Sequence, residues 1–219
     1  MTESFQQSEP SEPAELSIIP IRNFDFEFPQ DLDPVWVPQN PYRSHFFNGV
    51  SLTMPHLEPF LCKTMREAQR LVGEGQQVED EQLLEDMKGF IGQEAQHYRC
   101  HRRLNERLTA NGHPQFAAIE KRISDSYERL SQQSLSKRLA YSAGFECMTN
   151  GFTNWILADR KALFENAQNE VTSFWIAHMA EECEHKTVAF DVYERLSGAY
   201  WARAAGVLHG SFHVLGLGW

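Results

Sequence analysis

The stretches FIGQEAQHYRCHRRLN at residues 90–105 and WIAHMAEECEHKTVAFDVY at residues 175–193 decide the fold, because each contains a Glu-x-x-His pattern within a helical run. The four residues of these patterns are Glu94, His97, Glu182 and His185. Residues three apart share one face of an α-helix, with Cβ atoms about 5–6 Å apart. Each stretch therefore predicts a long helix that offers a carboxylate and an imidazole to one ion.

The apolar spacing outside these stretches is also helical from Ser44 onward, and no useful run of strand alternation is present. We expect a first helix that is broken near Pro55 and resumes to about Val72. Further helices are predicted at residues 80–110, 115–132, 135–165 and 170–197. The predicted fold class is all-α, a four-helix bundle with an extended N-terminal arm and accessory helices.

Changes in composition divide the chain into three parts. Residues 1–20 predict a disordered acidic tail, residues 21–198 the helical bundle, and residues 199–219 an apolar C-terminal helix. Five prolines between residues 16 and 43 exclude a long helix there, so this segment is expected to wrap the bundle as an arm. Its predicted aromatic anchors are Phe24, Phe26, Phe28 and Trp36.

The composition limits partners and location. The 219 residues carry 30 acidic side chains against 20 Lys and Arg, a net charge of −10 that argues against nucleic acid. The four cysteines lack C-x-x-C or zinc-finger spacing and are expected to be free thiols in the core of a cytoplasmic protein. The uncharged run at residues 204–219 would reach about 24 Å as a helix, too short to cross a bilayer, but it allows peripheral membrane contact.

Two further acids lie in largely apolar stretches, Glu58 in PHLEPFLCKTM and Glu146 in LAYSAGFECMTNGF. A carboxylate that faces a core needs a partner, because unpaired burial costs several kcal/mol, on the order of 2–7 for a polar group and more for a charge. The chain order Glu, Glu-x-x-His, Glu, Glu-x-x-His matches the ligand pattern of di-iron carboxylate bundles. Two divalent ions would neutralise the four acids.

The second stretch carries additional polar residues near its motif. His178 lies four residues before Glu182 and on its stripe, as expected of a third imidazole ligand. His101 competes for that role, or supports a ligand from outside. Glu181 and Glu184 lie on other helix faces and are expected to be solvent charges. Asp191 could orient a ligand histidine or could be a surface or buried hydrogen-bonding acid.

The two quoted stretches resemble a bacterial family described as predicted metal-dependent hydrolases, and the similarity runs from about Arg22 to Trp201. The ligand order also resembles ferritin-like di-iron oxygenases, and its H-x-x-x-E-x-x-H stripe is similar to that of p-aminobenzoate N-oxygenase-type proteins. The family is expected to have a histidine directly after the third-helix glutamate, where this chain has Cys147. Family members are also expected to continue beyond residue 219.

These observations predict two bound divalent ions, with iron favoured and manganese or zinc as alternatives. One ion is assigned Glu58, Glu94 and His97, and the other Glu146, His178, Glu182 and His185. Glu94 and Glu182 are the expected bridges. No catalytic residue beyond these ligands is predicted.

Three functions remain open at this stage. The first is an O₂-activating oxygenase or oxidase that acts on a small, partly apolar substrate. The second is a two-metal hydrolase of ester, amide or phosphate bonds, as the family description states. The third is a non-catalytic bundle that stores metal or serves as a scaffold.

Overall fold

The computed structural model describes residues 18–75, residue 77 and residues 80–217; most of the predicted acidic tail lies outside them. The described residues form seven α-helices and contain no strand, which confirms the all-α class. The helices are α1 (Pro41–Glu74), α2 (Glu81–Ala110), α3 (Phe116–Ser131), α4 (Leu135–Leu163), α5 (Asn169–His185), α6 (Val188–Leu196) and α7 (Tyr200–Leu217).

Helix α1 is continuous, so the predicted break near Pro55 is wrong. It begins at Pro41, where the missing N–H costs no helical hydrogen bond, and Asn40 caps it by accepting from the Arg43 N–H at 3.1 Å. Pro55 cannot donate to the carbonyl of Ser51 four residues earlier. That carbonyl instead accepts from the side-chain amide of Asn105 on α2, at 2.9 Å. A neighbouring helix thus supplies the bond that proline removes.

The helix predicted over residues 170–197 is two helices, α5 and α6, separated at Lys186 and Thr187. The buried positions continue across the interruption, from His185 to Val188, Ala189 and Val192. Because the apolar spacing is unbroken, the sequence pattern cannot show this separation. His185 therefore occupies the last position of α5.

The four long helices surround one core. Helix α1 packs along α2, and α4 packs against α5, α6 and α7, while α3 covers one side of α1. Phe47, Phe90, Phe174 and Trp175 are among the large side chains that this packing buries completely. The interior between α1, α2, α4 and α5 is where the predicted ligands lie.

The arm before α1 lies against α2 and α5, as predicted. Phe28 and Trp36 are buried, and Phe24 and Phe26 are partly buried against the core. The arm approaches α2 closely at two glycines, since a Cβ at Gly89 would lie 2.4 Å from Ile19 and one at Gly92 would lie 2.5 Å from Ile21. Its docking therefore depends on the absence of side chains at both positions.

Helix α7 approaches α4 equally closely through small residues. A Cβ at Gly206 would lie 2.1 Å from the Ala140 carbonyl oxygen, and one at Gly144 would meet the backbone of Gly206 at 2.3 Å. Trp201, on the same helix, is exposed. None of the described helices is both long and apolar enough to cross a bilayer.

Candidate metal centre

All seven predicted ligands are buried, and none is more than 5% exposed. They are Glu58 on α1, Glu94 and His97 on α2, Glu146 on α4, and His178, Glu182 and His185 on α5. Four helices thus direct polar side chains into an interior that is otherwise apolar.

The ligand atoms form two groups, and within each group they lie within 4.8 Å of one another. One group is Glu58, His97 and His178, and the other is Glu94, Glu146, Glu182 and His185. The grouping differs from the predicted partition in His178, which lies with Glu58 and His97, and in Glu94, which lies with Glu146, Glu182 and His185. The helix spacing places residues on a face, but only the packing of four helices decides which ligands share an ion.

Glu182 and Glu94 lie between the two groups. The Oε1 atom of Glu182 is 3.0 Å from Nε2 of His178, and its Oε2 atom is 3.3 Å from Nε2 of His185. Glu94 Oε1 is 3.2 Å from His185 Nε2 and 3.9 Å from His97 Nδ1. Each of the two carboxylates therefore lies within 4 Å of a histidine in both groups.

The polar atoms of the cluster fit metal ions better than they fit one another. Several of its buried atoms have no hydrogen-bond partner: both oxygens of Glu58, Oε2 of Glu94, Nδ1 of His97, Oε1 of Glu146, Oε2 of Glu182 and Nε2 of His185. Buried polar atoms are rarely left unpaired, since each costs about 1–3 kcal/mol. Such a concentration of unpaired polar atoms at one place is the pattern expected of a set of metal ligands.

The charge of the cluster and the distances between its ligand atoms also fit bound metal ions. Within the described residues, no Lys or Arg pairs with the four cluster carboxylates, so nothing there offsets their charge except imidazole. Two donors on one ion, each about 2.1 Å from it, lie roughly 3–3.5 Å apart. Several separations in the cluster are 3.2–3.9 Å, close to this range.

Burial controls ionisation in the cluster. It raises the pKa of the Glu58 and Glu146 carboxyl groups well above their ordinary range, and neighbouring acids add to the effect. Burial and the charge of Glu182 also raise the pKa of Glu94. Burial opposes the charges of Glu182 and His185 as well, but their mutual attraction holds the pKa of Glu182 well below and that of His185 well above the usual values.

A hydrogen bond on the far side of each histidine orients it. Nδ1 of His185 donates to Gln93 Oε1 at 2.9 Å, and Nε2 of His97 donates to Glu181 Oε2 at 3.0 Å. These bonds assign a proton to the outer nitrogen of each ring, so the inner nitrogen is the one directed at an ion. An imidazole ligand requires this tautomer.

His178 is oriented through a longer chain of hydrogen bonds. Its Nδ1 lies 3.0 Å from Nε2 of His101, whose Nδ1 lies 2.8 Å from the Ser51 hydroxyl. That hydroxyl donates to Asn105 Oδ1 at 2.7 Å. One consistent assignment has each ring donate outward, so that His178 presents an unprotonated Nε2 to Glu58 and Glu182. His101 thus lies behind a ligand and outside both groups.

Of these outer partners, the sequence interpretation considered only His101 in that role. Glu181 is buried and bonded to His97, so its prediction as a solvent charge is wrong; Gln93 was not singled out. Gln93 immediately precedes a ligand on a buried helix face, and a buried amide there was the available signal. Asp191 is exposed, as expected of a surface acid, and is not among the partners of the ligand histidines.

The cysteines agree only partly with the prediction of four core thiols. Cys62 and Cys100 are buried, Cys183 is partly exposed, and Cys147 is exposed on α4 beside Glu146. All four are free thiols. Cys147 points away from the cluster because adjacent residues of a helix face different directions.

A cavity of about 450 Å³ leads from the surface to the cluster. Its inner end contains Glu58, Glu94, His178 and Glu182, and its other walls are mostly apolar. Phe46, Phe145, Met148, Phe152, Met179 and Val214 are among the wall residues. Tyr42, which is 87% exposed, marks the end nearest the solvent. The cavity thus joins the ligand cluster to residues at the protein surface.

The protein is an all-α bundle with buried carboxylates and imidazoles at the end of a cavity. This arrangement places it in the class of candidate helical metalloenzymes. The chain belongs to the family described as predicted metal-dependent hydrolases, whose model matches residues 20–219. No curated protein and no solved structure matches the chain. These comparisons therefore support the hydrolase description and provide no support for the resemblance to oxygenases.

Proposed function

We propose that this protein is a hydrolase that uses two divalent metal ions to cleave an ester or amide bond in a small, uncharged, largely apolar substrate. The observation that carries the proposal is the group of unpartnered carboxylate and imidazole atoms at the inner end of the cavity. The family description supplies the reaction class.

Seven side chains would hold the ions. Glu58, His97 and His178 would bind one, Glu146 and His185 the other, and Glu94 and Glu182 would lie between them. Such a pair of ions, when bound, lowers the pKa of water to give a nucleophile and polarises the scissile carbonyl. Imidazole and carboxylate together suit zinc, manganese and iron.

The cavity supports the proposed substrate class. Its charged groups lie at the inner end, whereas Phe46, Met148 and Phe152 offer apolar surface to the rest of a ligand. Thr53 and Thr149 add hydroxyl groups to the wall, which could bind a neutral oxygen of the substrate. A charged substrate would find no Lys or Arg among the residues that line this cavity.

The donor set is also compatible with a second candidate, O₂ activation by a di-iron centre. Four carboxylates with three imidazoles form an oxygen-rich set that suits redox-active iron as well as hydrolytic metals. In that case, the same apolar walls would keep water from the reacting centre. The two candidates differ in their metal requirement and in their need for O₂.

The first test is the metal content of protein purified without chelator or nickel resin. We expect two ions per chain, one for each group, by elemental analysis. Glu94→Ala and Glu182→Ala should each lose metal, because both carboxylates lie between the groups. Glu85→Ala is the control, since Glu85 pairs on the surface of α2 with Lys88 and should leave the metal content unchanged. Retention of both ions by Glu94→Ala and Glu182→Ala would show that the site is wrongly assigned.

The second test separates the two chemistries. Protein loaded with Zn(II) should hydrolyse neutral short-chain esters or amides equally well with and without O₂. If activity instead requires Fe(II) and O₂, and Zn(II) abolishes it, the oxygenase candidate replaces the hydrolase. A chain that holds far more than two ions would indicate metal storage.

A further inference from the structure

One guanidinium on the N-terminal arm is connected to the outer side of both ligand groups. Nη1 of Arg22 donates to Glu181 Oε1 at 2.9 Å, and Nη1 and Nη2 donate to the two oxygens of Glu184 at 2.7 and 2.8 Å. Glu181 and Glu184 are three residues apart and flank the ligand Glu182 on α5. Arg22 therefore holds two carboxylates of one helix in a fixed geometry.

Each of these carboxylates is connected by hydrogen bonds to a different ligand histidine. Glu181 accepts directly from Nε2 of His97, in the group with Glu58. Glu184 accepts from Nε2 of Gln93 at 2.7 Å, and the Oε1 atom of Gln93 accepts from Nδ1 of His185 in the other group. The path from Arg22 thus branches and reaches one imidazole in each group.

The hydrogen bonds of Gln93 also determine how its side-chain amide is oriented. The Nε2 atom of Gln93 donates to Glu184 and to the Pro20 carbonyl of the arm, which leaves its Oε1 atom as the acceptor for His185. The reversed amide would place a donor against an N–H. The arm therefore determines which atom of Gln93 faces the ligand.

We propose that Arg22 is a positioning residue for both metal ions: through Glu181, and through Glu184 with Gln93, it keeps the outer nitrogen of His97 and of His185 protonated and the inner nitrogen directed at the ion. This inference depends on the proposed metal site. It assigns a role to an exposed arm residue outside the helices that carry the ligands.

The alternative explanation is that Arg22 merely attaches the arm. Arg103 of α2 provides a matched comparison, because it also holds the arm, through the Phe24 carbonyl at 3.3 Å and Asp25 at 3.4 Å. Arg103 contacts neither Gln93 nor Glu181, and the side chains of Arg22 and Arg103 are similarly exposed, at 44% and 41%. Arg103→Gln therefore loosens the arm without altering the outer hydrogen bonds.

The experiment titrates metal-free, full-length protein with Co(II), whose visible absorption reports its ligands, and measures Zn(II) affinity by competition with a chelator. Arg22→Gln should weaken both binding steps by about 10- to 100-fold and change the Co(II) spectrum. Arg103→Gln should weaken them by less than about fivefold, as an exposed pair does. The helical content and the unfolding of both metal-free variants should be measured to check that each of them folds.

Two more variants separate the branches. Gln93→Met removes the acceptor for His185 and should weaken one binding step, whereas Glu181→Met removes the acceptor for His97 and should weaken the other. These two variants also carry the test if Arg22→Gln does not fold.

Equal effects of Arg22→Gln and Arg103→Gln, or wild-type affinity in Arg22→Gln, would overturn the inference. Absence of metal binding by the wild-type chain would instead overturn the proposed function, so the two failures are distinguishable.

Discussion

At the scale of single residues, the candidate centre consists of ligands and of the partners behind them. The sequence could predict the ligands, because Glu-x-x-His spacing and acids in apolar runs are visible along one chain. It could not predict that Glu181 supports His97, because that bond joins residues 84 positions apart on α5 and α2. Local spacing carries no information about which helix faces which.

Substitution of Glu58 tests whether the buried acids serve metal binding or the stability of the fold. Both of its oxygens lack partners, and burial raises its pKa. In the metal-free protein, Glu58→Gln should leave the free energy of unfolding unchanged or raise it by about 1 kcal/mol. The same substitution should abolish most of the thermal stabilisation that Zn(II) gives to the wild type.

Glu67→Gln is the control on the same helix. Glu67 pairs with the buried Arg138 at 2.6 Å, outside the cluster. Its loss should lower stability by about 1 kcal/mol, because Glu67 is partly exposed, and should leave the response to Zn(II) intact. A clear destabilisation of the metal-free protein by Glu58→Gln would contradict a role in metal binding alone.

At the scale of helices, tertiary contacts override two local signals. Pro55 predicts a break in α1, but Asn105 of α2 bonds the carbonyl that proline leaves without a donor. Conversely, the apolar stripe from α5 to α6 predicts one helix, but the chain is interrupted at Lys186 and Thr187. The continuity of α1 at Pro55 thus depends on a partner that lies far away in the sequence.

The contact between α4 and α7 predicts opposite effects for two glycines of one helix. A Cβ at Gly144 would meet the backbone of α7 at 2.3 Å, whereas a Cβ at Gly151 would have open space around it. Gly144→Ala should therefore destabilise the protein by about 1–3 kcal/mol through overpacking. Gly151→Ala should stabilise it by up to about 1 kcal/mol, since alanine is the better helix former.

Urea unfolding of the two variants measures both effects. If Gly144→Ala is as stable as Gly151→Ala, α7 does not pack on α4 as described.

At the scale of the whole molecule, the cluster opposes folding in the absence of metal. Four acids from four helices meet in an apolar interior that contains no Lys or Arg partner among the described residues. The ions would then join α1, α2, α4 and α5, and binding energy would contribute to the stability of the bundle. Metal binding and folding should therefore depend on each other.

This coupling predicts how metal binding varies with pH. The pKa values of Glu58, Glu94, Glu146 and His185 are raised in the metal-free fold, so these groups retain protons that metal binding must release. Zn(II) affinity should thus rise with pH, by about tenfold per pH unit for each proton released. The gain in melting temperature on adding Zn(II) should be larger at about pH 8 than at about pH 6.

Calorimetry in buffers with different ionisation enthalpies counts the released protons. The raised carboxyl groups also make the metal-free fold less stable as pH rises above the ordinary carboxyl range, because the folded state then holds protons that the unfolded chain has lost. Metal binding without proton release would mean that these groups are already ionised.

The sequence alone determined the helical class, the approximate extents of α2, α3 and α4, and the seven residues that meet in the interior. These properties follow from apolar periodicity and from the need of buried acids for a partner, and both can be recognised along a single chain. Only the tertiary structure decided how the seven divide into two groups, which residues hold the outer nitrogens of the histidines, and why α1 continues through Pro55. Each of these depends on contacts between helices, where residues distant in the sequence become neighbours.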